Sequence, residues 1–587
     1  FEDKSFDPIH IEAYNRDEKV AAGASSFGPR PTITYNTFHN SANAAISANP
    51  NNFDDSLGRG GPHIRGNKIT GNTFNGLSVR VEMALGAPLD PLDAFARFDD
   101  VDIVHIFTQN LHISGAPGGQ ITADGTPAHA GRLEVAPGVI VKLGGTRIEA
   151  ERGGANLIAE GGPSSPVVFT SINDRIYGAG GTFQTNQQSV NSVAEPGNWG
   201  GLIFNAGSRG SLDYAKVYYA GGLSTFGGAS NEFNTIEIRQ ADVRIANSLF
   251  QNNDDGYDAT TGQFNVNRDG RGATRPAVIY VAGAQPIIVN NTFLNNAGAT
   301  VFIDANSLQA VVRPDYGRST VLVDPSWQPD DPAWPADQYG FFTQFADNQG
   351  PLVRLNRYDA VNSIVSAYSP GDYALNGMEI SSGTLDTETV WDDTDIVHVV
   401  RGEIIVPNLH TYGGLRLQSS LTESLVVKLQ GDMAGITASG STKDIEDRIG
   451  GTLQVIGTPD HPVILTSLRD DTLGAGFRPD GGVQTDTNGD RNLSTGNPGA
   501  AAAPGDWRSV AFDRWANDRN VRIVMEAEPA VGAAAANDLN RAFATAQHLG
   551  ELAPEDKDAD ENRPAGFEVH GFINADRGQD EDLYSFL

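Results

Sequence analysis

Alternating oxygen-bearing side chains occur at Asp486, Asn488 and Asp490, on a stretch that also contains glycine. Ca²⁺ takes about six to eight oxygen ligands and tolerates irregular geometry, so alternate carboxylate and amide oxygens on such a loop suit it. Asp470 and Asp471 precede this stretch and could lie near it. The sequence therefore predicts a structural Ca²⁺ site formed by these five residues, in which the ion would hold a long loop against the fold.

The same acidic loop could instead be a solvated surface loop without a bound ion. The glutamate that would close a calcium-binding loop of this spacing is missing, because Asn497 stands at its position. An internal copy of the loop carries other residues at three of the positions, with Asn186, Gln188 and Arg175 in place of Asp486, Asn488 and Asp471. Both interpretations remain open on the sequence.

Four short motifs end in histidine: Asp102–His105, Asp395–His398, Asn110–His112 and Asn408–His410. Zinc binding or general-base chemistry needs side chains that converge on one point. Residues three apart on a strand point to opposite faces, so the aspartate and histidine of the first motif are poorly placed to share a ligand. The pattern favours structural histidines that are hydrogen-bonded within the fold.

Trp199 and Trp507 each follow a turn, Pro-Gly-Asn in the first case and Pro-Gly-Asp in the second. An exposed indole face could stack on a sugar ring, which makes both residues candidates for carbohydrate contact. The alternative is that each indole anchors the end of a loop on the core. The Pro-Gly turn favours this alternative because it returns the chain toward the core.

Polysaccharide cleavage is the enzymatic alternative. A glycoside hydrolase needs two carboxylates at a defined separation, and a lyase needs acids that hold Ca²⁺ beside a Lys or Arg base. Carboxylates are abundant in this chain, so pairs of them carry little information, and no compact acid–base group recurs in both internal copies. Neither a phosphate-binding loop nor a nucleophile elbow occurs. We therefore expect no catalytic site and no organic cofactor.

Charge and composition exclude several classes of function. The 587 residues include 41 Lys and Arg against 73 Asp and Glu, for a formal net charge of −32. Such a chain is not expected to bind nucleic acid or an anionic membrane surface, and no segment is apolar enough to insert into a membrane. Without cysteine, disulfides and thiolate metal sites are excluded. Because the chain begins at Phe1, we expect it to be part of a longer protein.

A long module occurs twice, with its motifs in the same order. Matching stretches are Phe98–His105 with Trp391–His398, and Pro166–Ser171 with Pro462–Ser467. Such self-similarity is the signature of a repeat architecture. The predicted domains are a first copy at 1–255, a second copy at 256–525 with an insertion at about 305–370, and a linker with a final domain at 526–587.

Short runs of β-branched and aromatic residues alternate with Asn- and Gly-rich turns, as in Ala277–Gly283, Pro286–Val289 and Thr300–Asp304. A set of such strands every 20–25 residues or so is typical of a parallel β-helix. Sandwiches and propellers connected by hairpins would show frequent Asn-Gly or Asp-Gly turns, which are sparse in this chain. The sequence therefore predicts an all-β fold, a right-handed parallel β-helix of tandem modules.

The C-terminal segment contains three recognisable stretches, at 537–550, Gly566–Ile573 and Asp580–Leu587. Through them it resembles the bacterial pre-peptidase C-terminal (PPC) domain family over about fifty residues. The resemblance implies an incomplete β-sandwich, appended to an exported protein and serving attachment or secretion.

Thr466–Asp471, Asp486–Asp490 and Pro504–Trp507 are similar to stretches of repeat modules in very large bacterial surface and secreted proteins. This resemblance spans most of residues 1–525 and implies an extracellular structural or adhesive role. The main expectation is a non-enzymatic rod at the cell surface or in the extracellular matrix. Its partners would be other copies, neighbouring surface proteins or glycans. A secreted polysaccharide lyase or glycoside hydrolase is the alternative, and a dedicated carbohydrate-binding adhesin is a third possibility.

Overall fold

A computed structural model describes residues 7–55, 61–81, 90–117, 129–188, 191–226, 229–256, 275–320, 345, 348–360, 374–407, 414–440, 450–490, 501–514, 516–517, 521–525, 544, 546–550, 566–570 and 584–586. Their regular structure is almost entirely β. The exceptions are helix α1 (Arg16–Ala22) and two 3₁₀ turns, Pro50–Phe53 and Ala305–Ser307. Among these residues, no helix has the length and apolar character that a bilayer crossing requires.

Three long sheets carry the fold, and in each of them neighbouring strands in the order below are hydrogen-bonded to one another. The first sheet contains β1 (Ile9–Ile11), β4 (Ala44–Ala48), β7 (Phe74–Val79), β9 (His105–Phe107), β12 (Ile140–Leu143), β15 (Val167–Ser171), β18 (Ala215–Tyr218), β23 (Leu249–Gln251), β26 (Thr292–Leu294) and β29 (Arg357–Asp359). The second contains β10 (Leu111–Ile113), β13 (Ile148–Ala150), β16 (Leu202–Phe204), β21 (Ile236–Arg239), β24 (Ala277–Ala282), β27 (Ala299–Ile303), β30 (Leu375–Ile380), β33 (Val397–Val400), β36 (Val426–Leu429) and β39 (Ile464–Ser467). The third contains β8 (Phe95–Phe98), β11 (Arg132–Val135), β14 (Asn156–Glu160), β17 (Arg209–Asp213), β22 (Asp242–Ala246), β25 (Ile287–Val289) and β28 (Leu352–Arg354).

Smaller sheets complete the described structure. A fourth sheet contains β31 (Gly383–Thr384), β34 (Glu403–Val406), β37 (Gly431–Ala438) and β40 (Trp507–Phe512), and a fifth contains β32 (Thr389–Trp391), β35 (Gly414–Gln418) and β38 (Thr452–Ile456). The parallel pairs are β2 (Thr32–Thr34) with β5 (His63–Arg65), β3 (Thr37–His39) with β6 (Lys68–Thr70), β41 (Val521–Met525) with β43 (Gly566–His570), and β42 (Gln547–Gly550) with β44 (Tyr584–Phe586). β19 (Leu223–Phe226) and β20 (Ala229–Glu232) form an antiparallel hairpin.

The long sheets are the faces of a parallel β-helix. The chain passes through the third, first and second sheets in turn, for example along β14, β15 and β16, and then begins the next turn at β17. Each strand of these sheets pairs in parallel with its counterpart one turn away, as β15 does with β18. The predicted parallel β-helix is therefore confirmed.

The coil continues across the boundary between the two copies, near residue 255. In the first sheet Phe250 pairs with Phe293, and in the second Ile238 pairs with Val281. The rings of Phe250 and Phe293 stack in the core with centroids 5.1 Å apart, and Tyr358 continues the stack at 6.0 Å from Phe293. Strand pairing and core stacking thus both pass from one copy into the next.

Equivalent strands of the two copies lie on different faces of the coil, and those of the second copy lie on the face that follows along the chain. His105 lies on β9 of the first sheet, whereas its sequence counterpart His398 lies on β33 of the second sheet. The same shift applies to the neighbouring strands, so that β4, β7, β9, β12 and β15 of the first sheet correspond to β27, β30, β33, β36 and β39 of the second. A three-sided coil accommodates this shift without a break because every face has the same strand spacing.

Within the C-terminal segment β42 pairs in parallel with β44, and β43 pairs in parallel with β41 at the end of the second copy. Most of 526–587 lies outside the described residues. The incomplete β-sandwich therefore stays a prediction for this segment.

Candidate functional site

Three carboxylates converge beside the second sheet, those of Asp471, Asp486 and Asp490. One oxygen from each lies within 4.8 Å of the others. Asp471 follows β39, and the other two lie where the loop returns to β30 and β36 of the second sheet. We call these three residues the carboxylate cluster.

Backbone carbonyls of the returning loop are held by two buried side chains. The Asn376 amide donates to the carbonyl of Asp486 at 2.7 Å, and the Asn376 backbone N–H donates to the carbonyl of Thr487 at 2.8 Å. The Lys428 ammonium donates to the carbonyls of Asp470 at 2.7 Å and Thr485 at 3.0 Å. The loop is therefore pinned at both ends of the cluster.

Electrostatic repulsion within the cluster shows in the pKa of Asp471. Burial, together with the charges of Asp490 and Asp486, raises that pKa to about 6. Burial also lowers the pKa of Lys428 to about 8, although the surrounding aspartates oppose this shift. A divalent cation among the three carboxylates would relieve their repulsion, and Ca²⁺ accepts an all-oxygen ligand set of this kind.

The other two predicted ligands have local roles. The carboxylate of Asp470 accepts hydrogen bonds from the hydroxyls of Thr466 at 2.7 Å and Thr472 at 2.6 Å. These bonds hold its pKa below the usual value even though burial acts to raise it. The Asn488 amide donates to a carboxylate oxygen of Asp490 at 2.9 Å and so orients it. The structure thus gathers the carboxylates of three of the five predicted residues, and the other two, Asp470 and Asn488, are hydrogen-bonded next to them.

The first copy has the same loop attachment without the carboxylates. Lys142 donates to the carbonyls of Asp174 at 2.6 Å and Phe183 at 3.0 Å, as Lys428 does in the second copy. The Asn75 backbone N–H donates to Thr185 at 2.8 Å, as that of Asn376 does to Thr487. The described first copy therefore keeps the pins of the loop.

This geometry corrects the alignment of the two loops. Because Thr185 takes the place of Thr487, Asn186 lies opposite Asn488 instead of Asp486. The counterparts of Asp471, Asp486 and Asp490 are then Arg175, Gln184 and Gln188. The sequence alignment was wrong by two residues because the loop of the second copy is longer.

The buried histidines are structural but are not held as predicted. His105 is fully buried, and its ring stacks on Phe98 with centroids 4.7 Å apart. Neither ring nitrogen has a hydrogen-bond partner in the described part of the chain, so the predicted hydrogen bonding of His105 was wrong. His398 stacks on Trp391 at 5.5 Å. Burial lowers the pKa of both histidines to about 3, which leaves them neutral at ordinary pH.

The second pair of histidine motifs does not mark equivalent positions. His112 lies on β10, and its ring nitrogen Nδ1 is 3.1 Å from a carboxylate oxygen of Glu151. His112 lies seven residues after His105, and the residue seven positions after His398 is Ile405 of β34. Ile405 is therefore the equivalent of His112 in the second copy. Asn408–His410 lie outside the described residues.

Aspartates ahead of the buried histidines have a role that was not predicted from the sequence. Asp100 accepts the Ile64 N–H at 2.9 Å, and Asp393 of the second copy accepts the Val353 N–H at 2.8 Å. Each carboxylate thus satisfies a backbone donor of β5 or β28. Burial raises the pKa of Asp100 to about 7. The doubled aspartate present in both copies was the signal for this role.

The two tryptophans differ in burial. Trp199 is 0% exposed, and its indole N–H donates to the Tyr218 carbonyl at 2.8 Å. Its predicted carbohydrate contact is therefore wrong, because no ring face is accessible, and its anchoring role is confirmed. Trp507 on β40 is half-buried and packs against the edge of the core. Carbohydrate contact at Trp507 stays a prediction.

No family model, curated protein or solved structure matches this chain.

Proposed function

We propose that the chain is a non-enzymatic structural or adhesive part of the bacterial cell surface or extracellular matrix. The observation that supports this most is the continuous coil through both copies. Ten parallel strands in one sheet, spaced by about 4.8 Å, extend about 45 Å along the axis. A stiff shaft of this kind suits a spacer or a display surface within a longer protein.

The charge of the chain fits the same role. A net charge of −32 keeps such a shaft soluble and limits its association through strand edges. Its partners would be further copies, neighbouring surface proteins or glycans.

The residues at the carboxylate cluster favour a structural ion over lyase chemistry. A lyase pairs its calcium-binding acids with an accessible Lys or Arg base. Lys428 lies beside the cluster, but it is 0% exposed and donates to two backbone carbonyls. It is therefore poorly placed to take a proton from a substrate. We propose instead that the cluster binds Ca²⁺, which would fasten the loop beside Asp471.

The location of the protein in the cell and assays for polysaccharide cleavage test the proposed function. We expect antibody or protease to reach the protein on intact cells, and electron microscopy to show rods. We expect purified protein to leave pectin, alginate and neutral glycans intact. Cytoplasmic retention of the full-length protein, or cleavage of a polysaccharide at ordinary enzyme rates, would contradict the proposal.

A calorimetric titration tests the proposed ion. Ca²⁺ added over the micromolar to millimolar range should release or absorb heat with the unmodified chain. The heat should disappear in an Asp486→Gln/Asp490→Gln double variant, which has the glutamines of the first copy. Absence of heat with the unmodified chain would refute the calcium site and leave the shaft unaffected.

A further inference from the structure

A cavity of about 350 Å³ lies on the outer face of the second sheet, where β27 and β30 approach the turn after β33. Its lining includes Arg275, Phe302, Glu379, Ser382 and Arg401. This volume falls at the lower end of the range for small-molecule sites, which is roughly 300–1,000 Å³. The cavity is therefore large enough for a small ligand such as a sugar unit.

An aromatic stack forms one wall of the cavity. The Phe302 ring lies parallel to that of Tyr280, with an interplanar angle of 2° and centroids 5.8 Å apart. The Arg239 guanidinium covers Tyr280 at 4.6 Å from the ring centroid and pairs with Glu237 at 3.2 Å. Phe302 is only 6% exposed, so its ring is held in place and presents a small, rigid apolar edge to the cavity.

The charged lining favours an anion. Among the described lining residues, two are arginines, Arg275 and Arg401, and one is acidic, Glu379. Arg401 Nε lies 3.9 Å from a carboxylate oxygen of Glu379. A guanidinium binds a carboxylate through two parallel hydrogen bonds. Basic side chains outnumber acidic ones among the described lining residues, whereas the whole chain has a net charge of −32.

The first copy shows that the coil does not require these residues. Strand pairing places Ser47 at the position of Phe302 and Ser78 at that of Glu379. Thr108 lies three residues after His105, as Arg401 does after His398, so Thr108 is the equivalent of Arg401 in the first copy. The first copy forms the same strands with these small residues, so the aromatic and charged side chains are not needed for folding.

We propose that this cavity binds an acidic sugar unit, a uronate within a polysaccharide. Arg275 and Arg401 would hold the carboxylate, Glu379 and Ser382 would bond to ring hydroxyls, and Phe302 would contact the apolar face of the sugar. A uronate combines one carboxylate, several hydroxyls and an apolar ring face, and the lining offers a partner for each. The inference rests on the adhesive form of the proposed function and names its ligand class.

Calorimetry in the presence of a chelator tests this site without any contribution from bound Ca²⁺. The probes are a polyuronate oligosaccharide, a neutral glucan oligosaccharide of equal length and inorganic phosphate. We expect binding of the polyuronate alone. The affinity should fall at least tenfold in Arg401→Thr, which installs the residue of the first copy, and also in Arg275→Thr. Arg209→Thr, at an exposed arginine of β17, is the matched control and should bind normally.

Several results would overturn the inference. They are no binding of the polyuronate, equal binding of the neutral glucan, or full affinity in both arginine variants. Phosphate binding as strong as that of the polyuronate would identify a simple anion site instead. Arg275 is exposed, so its variant should fold even if the other does not. Failure of this site would leave localisation and rod shape, which are measured separately, unaffected.

Discussion

In each copy, outward-facing residues that pair from one turn of the coil to the next form a row. The rows of the two copies begin with different residue types and end with the same ones. Successive paired residues in the first copy are His10, Ser47, Ser78, Ile106, Lys142 and Thr170, and in the second they are Tyr280, Phe302, Glu379, Val399, Lys428 and Thr466. The lysine and the threonine are shared because they pin a loop. Outward-facing residues of the coil can therefore differ in side-chain type between the copies, while the interior residues continue to determine the fold.

The loops that follow these rows also share one feature and differ in another. Both are fastened by the ammonium of a buried lysine, but only the second copy places three carboxylates beside it within the described structure. The loop attachment is thus present in both copies, and the binding that we propose is assigned to the second. Substitutions in the two copies test that assignment.

The largest effect is expected at the tryptophans. Trp199→Ala should cost about 3–5 kcal/mol of local stability because it empties a fully buried site and leaves the Tyr218 carbonyl without its donor. Trp507→Ala should cost clearly less because this indole is half-buried. Hydrogen exchange of neighbouring strands measures both losses. Equal losses would contradict the assignment of Trp199 as an anchor and Trp507 as a residue at the edge of the core.

The next largest effect is expected at the two buried lysines that hold the loops. Lys142→Met and Lys428→Met should each destabilise their loops by about 2–4 kcal/mol, because two buried carbonyls lose a charged donor. The loss should be greater at Lys428, which also offsets the charges of the carboxylate cluster. Hydrogen exchange of residues 174–188 and 470–490 reports it. If added Ca²⁺ does not narrow the difference between the two variants, the ion does not bind at the cluster.

Three aspartates placed in the loop of the first copy should create a second calcium site there. Replacing Arg175, Gln184 and Gln188 with aspartate should create a site in the first copy. At hundredfold excess over the dissociation constant, Ca²⁺ should then stabilise that loop by about 2.7 kcal/mol. Thermal unfolding with and without a chelator measures the gain. A triple variant whose response to Ca²⁺ is no larger than that of the unmodified chain would show that the three carboxylates are insufficient.

The last prediction concerns pH. The folded pKa of Asp100 is about 7 against an unfolded value near 3.8, so the folded state binds more protons between these values. Stability should therefore fall as pH rises from about 4 to about 7. Asp100→Asn keeps an acceptor for the Ile64 N–H and should remove most of this fall, which the two pKa values put at about 3 kcal/mol. An unchanged pH profile of unfolding would contradict the raised pKa.

The fold was predictable because its signals are local and repeated. Strands such as Ala277–Ala282 and Ile287–Val289 follow the expected rhythm of β-branched residues and Asn-rich turns. The shift of the second copy by one face was not predictable. It depends on how many strands each insertion adds, and the sequence does not show where the inserted chain rejoins the coil.

The candidate site was predictable in composition more than in geometry. The acidic loop was identified, but which oxygens converge depends on where the loop returns, and Asn376 sets that position through backbone contacts. His105 and Trp199 were misjudged in part for a related reason. A buried ring can be held by stacking or by a single indole bond, and sequence types alone do not distinguish these contacts from solvent-facing roles.

Cross-linking tests the continuous coil most directly, since the chain has no cysteine of its own. Gln251 of β23 pairs with Leu294 of β26 across the boundary between the copies. Neighbouring parallel strands bring such residues within the range of about 4.4–6.8 Å between Cα atoms that a disulfide spans. We expect rapid disulfide formation in Gln251→Cys/Leu294→Cys and none in Gln251→Cys/Ala282→Cys, which joins different sheets. Failure of the first pair, or equal reaction of both, would contradict a coil that runs unbroken through the two copies.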